Sequence, residues 1–427
     1  MTLALDVYME QFAGPVGQLG ERGGSPSALI FTYNPDYVAS RDALPLSLRL
    51  PLRTEPYEQD EARAFFENLL PEGRFRDEAA VAADTAAYDV LGILARFGRD
   101  CAGSVSIVPA GAQPAKRPGL LPDHYSVLGN EELVGLLKNL EEGRPAEPGT
   151  EASVAGVQAK IAVARDGTGR FYRMKEGAPS NCLIKVADRN FPGGVINEFF
   201  CNRLAQRLGL PVMETEFQTF THGNIAVDAL VTRRYDRLTK ITSPAGDMAT
   251  IHRLHQEDLA QACGVISYQK YEHKGGPGIS DFRNTLMKTR YPAKSVDVLV
   301  QLTLFNLLIG NSDAHAKNLS LLWTGGSKPE LAPLYDLLCI RLYPRYRQQM
   351  AIRIGGTDDP DAFDAKNLVA FAAELGLNEK FLLKRFQTIL RQIIPVADDL
   401  ARKHGSRTLH AFPIHEAFAE EVFDNRR

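Results

Sequence analysis

The densest chemistry in the chain lies in Leu304–Leu319, LFNLLIGNSDAHAKNL. An apolar, helix-like run stops at Gly310, and Asn311, Ser312, Asp313, His315, Lys317 and Asn318 crowd into what ought to be a short turn. Asp and Asn side chains that bond their own backbone explain single residues of this kind in a loop. They do not explain a His and a Lys set between them. Phosphoryl transfer does: it needs an Asp to accept the proton of an attacking hydroxyl and an Asn a few residues on to hold Mg²⁺. In the H-R-D-x-x-x-x-N loop that Asn is the fifth residue after the Asp. Asp313 and Asn318 have this spacing. Further on, APLYDLLC (Ala332–Cys339) is an apolar, strand-like segment presenting one carboxylate, Asp336, where a second metal-binding Asp would stand. The Phe-Gly that follows such an Asp in protein kinases is absent.

Transfer of a phosphoryl group also calls for a cation against the phosphates. Lys185, in NCLIKVAD, is flanked by Leu183, Ile184 and Val186. A strand can expose a Lys to water by simple alternation. Apolar neighbours on both sides instead point to a buried strand, where an unpaired ammonium is costly. A phosphate or a carboxylate would relieve that cost, and Glu198 on the following helix is the natural partner. SVAGVQAK (Ser153–Lys160) is a small-residue loop entering a strand, suited to backbone N–H contacts with phosphates. It carries neither G-x-G-x-x-G nor a Walker motif. His252 and His255 have HxxH spacing, which could bind metal, though two solvated loop histidines explain them as well.

Three stretches must position these groups. Up to about Ala110, strands at Leu3–Met9, Ala28–Tyr33, Leu46–Leu50 and Cys101–Pro109 enclose helices at Asp60–Leu70 and Thr85–Phe97, with Tyr88, Leu91, Leu94 and Ala95 on one face of the latter. Gly111–Gly119 and Glu141–Thr150 have linker composition around one amphipathic helix, Glu131–Leu140. From Ser153 to Arg237 the pattern is a mixed sheet, with strands at Lys160–Ala164, Asn181–Val186 and Ile225–Arg233. A helix over Val195–Leu208 ends at Gly209, before Pro211. The remainder reads as helical: Gln256–Cys263, Val296–Ile309, Asn367–Gly376 and Glu379–Leu400, with a Gly-rich loop at Tyr271–Gly278. Domains are accordingly expected at 1–110, 111–150, 151–237 and 238–427.

Composition narrows the partners. The 427 residues are 44% hydrophobic and 24% charged, which excludes disordered, collagen-like and coiled-coil chains. With 49 Lys plus Arg against 52 Asp plus Glu, the net charge of −3 predicts no bulk attraction to nucleic acid or membrane. No apolar run is expected to reach the roughly 18–20 residues of a membrane span. Met1–Glu10 lacks the basic start of a signal peptide. Five scattered cysteines without a CxxC pair fit a reduced cytoplasm.

SVAGVQAK, LIKV, NEFFCNRLAQRLGLPV, RRYDR, HQEDLAQACG, NSDAHAKN and APLYDLLC occur in the order found in HipA-type serine/threonine kinases, the toxin halves of HipBA toxin–antitoxin modules. LPLSLRLP, FFENLLPEGRFR and RFGRDCAGSVS resemble that family's N-terminal subdomain. The resemblance spans nearly the whole chain. It implies an α+β, protein-kinase-like two-lobed fold, with a mixed α/β N-terminal region and an all-helical C-terminal lobe. It further implies ATP and Mg²⁺ as cofactors, Asp313 as the catalytic aspartate, Asn318 and Asp336 as metal ligands, and Lys185 as the phosphate lysine. By the same resemblance Ala155, Gly156, Val157, Gln158, Ala159 and Lys160 form the phosphate-covering loop, and His315, Ala316, Lys317 and Asn318 lie at the phosphates, with Tyr335 beside Asp336. Arg233, Arg234 and Tyr235 fall at the interlobe hinge that meets adenine, largely through backbone groups. Better-known members carry an acidic residue where Arg233 stands, so a side-chain contact there is in question. Gln256–Asp258 follows the hinge and supports the site.

Ser153 resembles a serine that such kinases autophosphorylate and thereby silence themselves, since a phosphoserine beside ATP phosphates is repelled. The implied partners are a HipB-like DNA-binding antitoxin and a protein substrate, an aminoacyl-tRNA synthetase such as glutamate–tRNA ligase, whose phosphorylation arrests growth. DNA is met only indirectly, through the antitoxin, although Lys380, Lys384, Arg385 and Arg391 are spaced to share a helical face. A solvated face and a DNA-backbone contact both fit that pattern. Two other readings are a catalytically weak, nucleotide-binding co-repressor and a small-molecule kinase on the same scaffold.

Overall fold

The computed structural model describes residues 3–23, 28–144, 160–175, 177–187 and 191–404. In the N-terminal unit β1 (Ala4–Met9), β2 (Gly17–Glu21) and β3 (Leu29–Tyr33) are joined, after four helices, by β4 (Val105–Pro109) in an antiparallel sheet of order β3-β2-β1-β4. Alternation decides its buried face: Leu5, Val7 and Met9 of β1 and Leu29, Phe31 and Tyr33 of β3 point inward. The helices are α1 (Pro35–Val38), α2 (Gln59–Glu67), α3 (Arg74–Ala82) and α4 (Val90–Phe97), with Phe65, Phe66, Ile93 and Leu94 closing the core.

Two expectations fail here for local reasons. Leu46–Leu50 is a turn, because side chains take its backbone groups. Tyr33 Oη accepts from Leu46 N (2.8 Å) and donates to Leu50 O (2.6 Å), while Glu257 accepts from Leu48 N (2.9 Å). The helix anticipated from Thr85 begins only at Val90, since Asp89 accepts from Gly92 N (2.8 Å) as its N-cap. Tyr88 is left exposed instead of joining the buried face.

The piece expected to be a linker contributes β5 (Gly119–Leu121), β6 (Tyr125–Val127) and α5 (Asn130–Glu141). Lys116 anchors it, with Nζ donating to Cys101 O (2.5 Å) and Gly103 O (2.8 Å). Next come β7 (Lys160–Arg165), β8 (Phe171–Met174), β9 (Cys182–Val186), α6 (Gly194–Arg207), β10 (Thr215–His222) and β11 (Ile225–Arg233). They form a six-stranded sheet ordered β10-β11-β9-β7-β8-β6. The sequence pattern locates β7, β9, β11 and α6 to within a residue or so. It misses β8, which is short, and β10, whose residues are mostly polar and partly exposed.

From residue 238 onward the chain is not all-helical. β12 (Arg237–Ile241) and β13 (Ala249–Arg253) pair with each other and β13 with β5, and β14 (His255–Asp258), β15 (Ser320–Trp323) and β16 (Glu330–Leu331) form another sheet. The anticipated helix at Gln256–Cys263 is therefore strand first, with His255 and Glu257 inward, and helix only from Leu259. Asp258 forces the change: its side chain accepts from Gln261 N while Gln261 returns a bond to Asp258 N, a capping box opening α7 (Leu259–Cys263). His255 is not a solvated loop residue; it is fully buried and bonds Leu46 O at 2.9 Å. The remaining helices are α8 (Ile279–Leu286), α9 (Pro292–Ile309), α10 (Ala365–Glu374) and α11 (Glu379–His404). Helix α9 does have the length and apolarity of a membrane crossing, contrary to expectation. Two-thirds of it is buried in the core of this lobe, which accounts for its composition.

The N-terminal unit docks on this lobe through buried polar contacts, and one of them, Glu257, is sensitive to pH. Burial lifts its carboxyl to about 8, from an ordinary 4.5. A carboxyl raised on folding gives its full contribution below the unfolded value and loses it as pH climbs to the folded one. Stability is therefore expected to fall between about pH 5 and about pH 8. Glu257→Gln should flatten that slope and melt higher than wild type at about pH 8 in thermal denaturation. Parallel Tm–pH curves for the two proteins would contradict this.

Candidate active site

Helix α9 delivers the Asp313 loop and Gly310 ends it, at φ +66°. A Cβ there would run into the Arg341 side chain at Cγ, so glycine is needed for space as well as for backbone angle. The loop then folds on itself: His315 N donates to Asp313 O (2.8 Å), Asn318 N to His315 O (2.9 Å), and Asn318 Nδ2 to Asp313 O (2.8 Å). That last bond commits the Asn318 amide nitrogen and leaves Oδ1 as its ligand atom. The Asp313 side chain is exposed, and Tyr271 Oη donates to its Oδ1 at 2.7 Å.

Lys185, central in the six-stranded sheet on β9, reaches across to two other parts of the chain. Its Nζ lies 2.7 and 3.0 Å from the Glu198 oxygens on α6 and 2.5 Å from Asp336 Oδ1. The ammonium is buried, as is Glu198, while Asp336 keeps about a third of its side chain exposed, 35%. Burial works against the Lys185 charge, but Asp336 and Glu198 outweigh it and hold its pKa above the ordinary lysine value. Burial likewise opposes ionisation of Asp336, and Lys185 and Lys160 more than offset it, so the carboxylate titrates below its usual range. Asp336 also sits at φ +53°, a left-handed conformation that costs a non-glycine residue about 1 kcal/mol or more and is typical of functional positions.

Lys160 pairs with Lys185 across β7 and β9, which places both side chains on one face of the sheet. Burial, with Lys185 beside it, brings Lys160 down to about 8. Tyr235 and Tyr335 stack at 5.6 Å, and Tyr335 Oη bonds Lys317 O (2.8 Å) and Ser320 Oγ (2.6 Å), tying the Tyr235 and Asp336 segments to the Asp313 loop. Arg234 forms a two-pronged pair with Asp236 (3.0 and 2.8 Å). The N–H groups of Arg233 and Arg234 are taken by Glu214 O and Asn181 O, both at 2.9 Å. Arg233 itself reaches the exposed Glu214 carboxylate (3.2 Å).

A cleft of about 560 Å³ is lined by His315, Asn318, Tyr335 and Asp336 together with apolar residues such as Phe282 and Met350. His315 is buried and neutral near pH 7, because burial lowers its pKa to about 4. Its Nδ1 is buried without a hydrogen-bond partner among the described residues. An amide oxygen and a partly exposed carboxylate on one cleft suit a hard cation that keeps waters and phosphate oxygens in its shell, as Mg²⁺ does. No cluster of three or more His, Cys, Asp or Glu suited to a metal occurs among the described residues, so an all-protein metal cage is not what these residues offer.

Asp313, His315, Asn318, Tyr335, Asp336, Lys185 and Lys160 are thus brought into one neighbourhood. Lys317 is not turned into the cleft: its Nζ is buried against Glu72 (2.9 Å), Asn68 O (3.2 Å) and, more distantly, Asp258 (4.0 Å). Ser153, Ala155, Gly156, Val157, Gln158 and Ala159 lie outside the described residues. Two residues that touch the loop, Glu72 and Tyr271, carry no signal in the sequence beyond sitting in FFENLLPEGRFR and in the Gly-rich loop. Of the basic residues late in the chain, Lys380, Lys384 and Arg391 are exposed, and Arg385 is paired with Asp297.

Family models match most of the chain: the HipA N-terminal domain over residues 5–108 and the HipA-like C-terminal domain over residues 152–397. The chain belongs to the HipA family. Its relatives include the Shewanella oneidensis serine/threonine-protein kinase toxin HipA, 30% identical, with the match covering 92% of this chain and 89% of that one. The Sinorhizobium fredii protein Y4mE, whose name also carries a kinase assignment, is 34% identical over 84% of each chain. The solved complex of Shewanella oneidensis HipA with HipB and its operator DNA contains a chain of the same fold. That chain has a TM-score of 0.76 and 27% identity, with 98% of this chain and 94% of that one superposed. Membership brings a kinase assignment at the level of the HipA family and a HipA-like mixed α/β fold.

Proposed function

We propose that the chain is an ATP- and Mg²⁺-dependent serine/threonine-protein kinase, the toxin of a type II toxin–antitoxin pair. The observation that carries this reading is the Lys185 ammonium held between Glu198 and Asp336, with Asp336 and Asn318 on one cleft and Asp313 bonded to Asn318. Lys185 would neutralise phosphate charge, held in place by Glu198. Asn318 Oδ1 and Asp336 would hold Mg²⁺, which would supply positive charge against the phosphates. Asp313, exposed beside the cleft, would orient a serine or threonine hydroxyl and accept its proton. Lys160 and His315 would line the phosphate side, and Tyr235 and Tyr335 the hinge side. Arg233 meets adenine through backbone groups in this reading and contributes no side-chain contact to it, since its guanidinium faces Glu214 at the surface.

The two-lobed reading divides the chain into a small lobe over 151–237 and a larger lobe over 238–427, with the 1–110 unit and the 111–150 segment preceding them. The partner is a HipB-like DNA-binding antitoxin, as in the Shewanella complex, and DNA is met through it. The substrate is a cytoplasmic translation protein, an aminoacyl-tRNA synthetase such as glutamate–tRNA ligase, and its phosphorylation arrests growth and favours persistence. Autophosphorylation of Ser153 silences the enzyme. The test is to incubate the purified chain with labelled ATP, Mg²⁺ and a bacterial lysate, then map labelled sites by mass spectrometry. Label on a synthetase and on Ser153 is the expected result. Nucleotide binding without transfer to any protein would instead favour the co-repressor reading.

A further inference from the structure

Resting on that phosphoryl-transfer reading, we propose that Glu72 of the N-terminal unit is a positioning residue for Asp313, acting through Lys270 and Tyr271 on one side and Lys317 on the other. Glu72 lies just beyond α2, and its two oxygens are divided between two ammoniums: Lys270 Nζ at 2.6 Å and Lys317 Nζ at 2.9 Å. Both lysines belong to the segments that hold Asp313. Lys317 stands between His315 and Asn318 in the loop itself. Lys270 immediately precedes Tyr271, whose Oη donates to Asp313 Oδ1 at 2.7 Å. Lys270 O also accepts from Ala316 N (3.1 Å), so the two segments are joined by backbone directly beneath the carboxylate that spans them.

Burial opposes the Glu72 charge, but Lys317 and Lys270 overcome it and hold the carboxyl down at about 2, so it is ionised at any working pH. Without that charge two poorly solvated ammoniums lose the counter-ion they share, and their repulsion acts on the loops to either side of Asp313. Tyr271 is held against the same loop: its ring meets His315 edge-on at 5.1 Å and takes the Lys270 and Lys274 ammoniums at 5.4 and 5.2 Å. An exposed aspartate has several rotamers, and a donor fixed at one oxygen leaves the other for the substrate hydroxyl in a single orientation.

Docking of the N-terminal unit does not depend on Glu72. Gln261 Nε2 bonds Phe65 O (3.0 Å), Asn68 Nδ2 bonds Val265 O (2.8 Å) and Glu257 receives Leu48 N (2.9 Å). The Glu72 pairs are additional to these contacts and are aimed at the loop.

The test uses the full chain with Glu72→Gln, Tyr271→Phe and the double variant. Each single change is expected to lower kcat about tenfold with KM for ATP near wild type, and the double variant to fall no further in kcat than the larger single loss. Tm should hold in Tyr271→Phe but fall in Glu72→Gln, whose two lysines lose their shared counter-ion. Hydrogen exchange should quicken in residues 268–276 and 311–318 of Glu72→Gln while α4 is unchanged. Unaltered kcat in Glu72→Gln, losses that multiply in the double variant, or unchanged exchange in those segments would each overturn the proposal. A wild-type chain that transfers no phosphate would instead remove the kinase reading. The exchange measurement still decides whether Glu72 holds the loop.

Discussion

Asp313→Asn is expected to reduce phosphoryl transfer by about 1,000-fold while leaving the protein folded and able to bind ATP. The substitution changes little but the chemistry. The amide oxygen can still accept the Tyr271 bond, and Asp313 O, which receives His315 N and Asn318 Nδ2, belongs to the backbone and is untouched. What disappears is a carboxylate able to take a proton. Because the side chain is exposed, the change in stability should stay within about 0.5 kcal/mol. Steady-state transfer to a protein substrate, read beside ATP titration and a melting curve, checks all three parts. Transfer at the wild-type rate would remove Asp313 from the mechanism.

Lys185→Met should fail in two ways at once. Loss of the ammonium removes the charge expected to face phosphate, at a cost of about 100-fold or more in transfer. It also leaves Glu198, fully buried, and Asp336 without their cation. Breaking one side of such a pair costs about 3 kcal/mol, somewhat less here because Asp336 is partly solvated. The two effects separate in Lys185→Met/Glu198→Leu, which takes away the stranded carboxylate as well. That protein should regain much of the lost Tm yet remain inactive. If the double variant melts no higher than the single one, the Lys185–Glu198 pairing is not what stabilises the wild type.

How much of the site was legible beforehand differs residue by residue. Asp313 and Asn318 stand five apart within one loop, and a loop closed by its own backbone bonds keeps such residues together whatever surrounds it. Lys185 betrayed itself by apolar neighbours, since burial of an ammonium demands a carboxylate, and Glu198 on the next helix met that demand at 2.7 Å. Lys317 misled for the complementary reason. Its type and place suited phosphate, but the acceptor that claims it, Glu72, lies 245 residues earlier, and nothing local marks the pair. The same limit hid β14 and β15: four-residue strands carry too little alternation to compete with a helical reading until their partners are known.

By itself the sequence determined the order of elements around the site, the helix stop at Gly310, the Asp–Asn spacing and the buried lysine. These depend on turn chemistry and periodicity within windows of about ten residues. Only the tertiary structure decided that Lys185 meets Asp336 as well as Glu198. It alone placed Lys317 against the N-terminal unit and put Tyr271 on Asp313. Those contacts join segments up to 245 residues apart, and their stability comes from desolvating several charges together, which no single stretch of chain encodes.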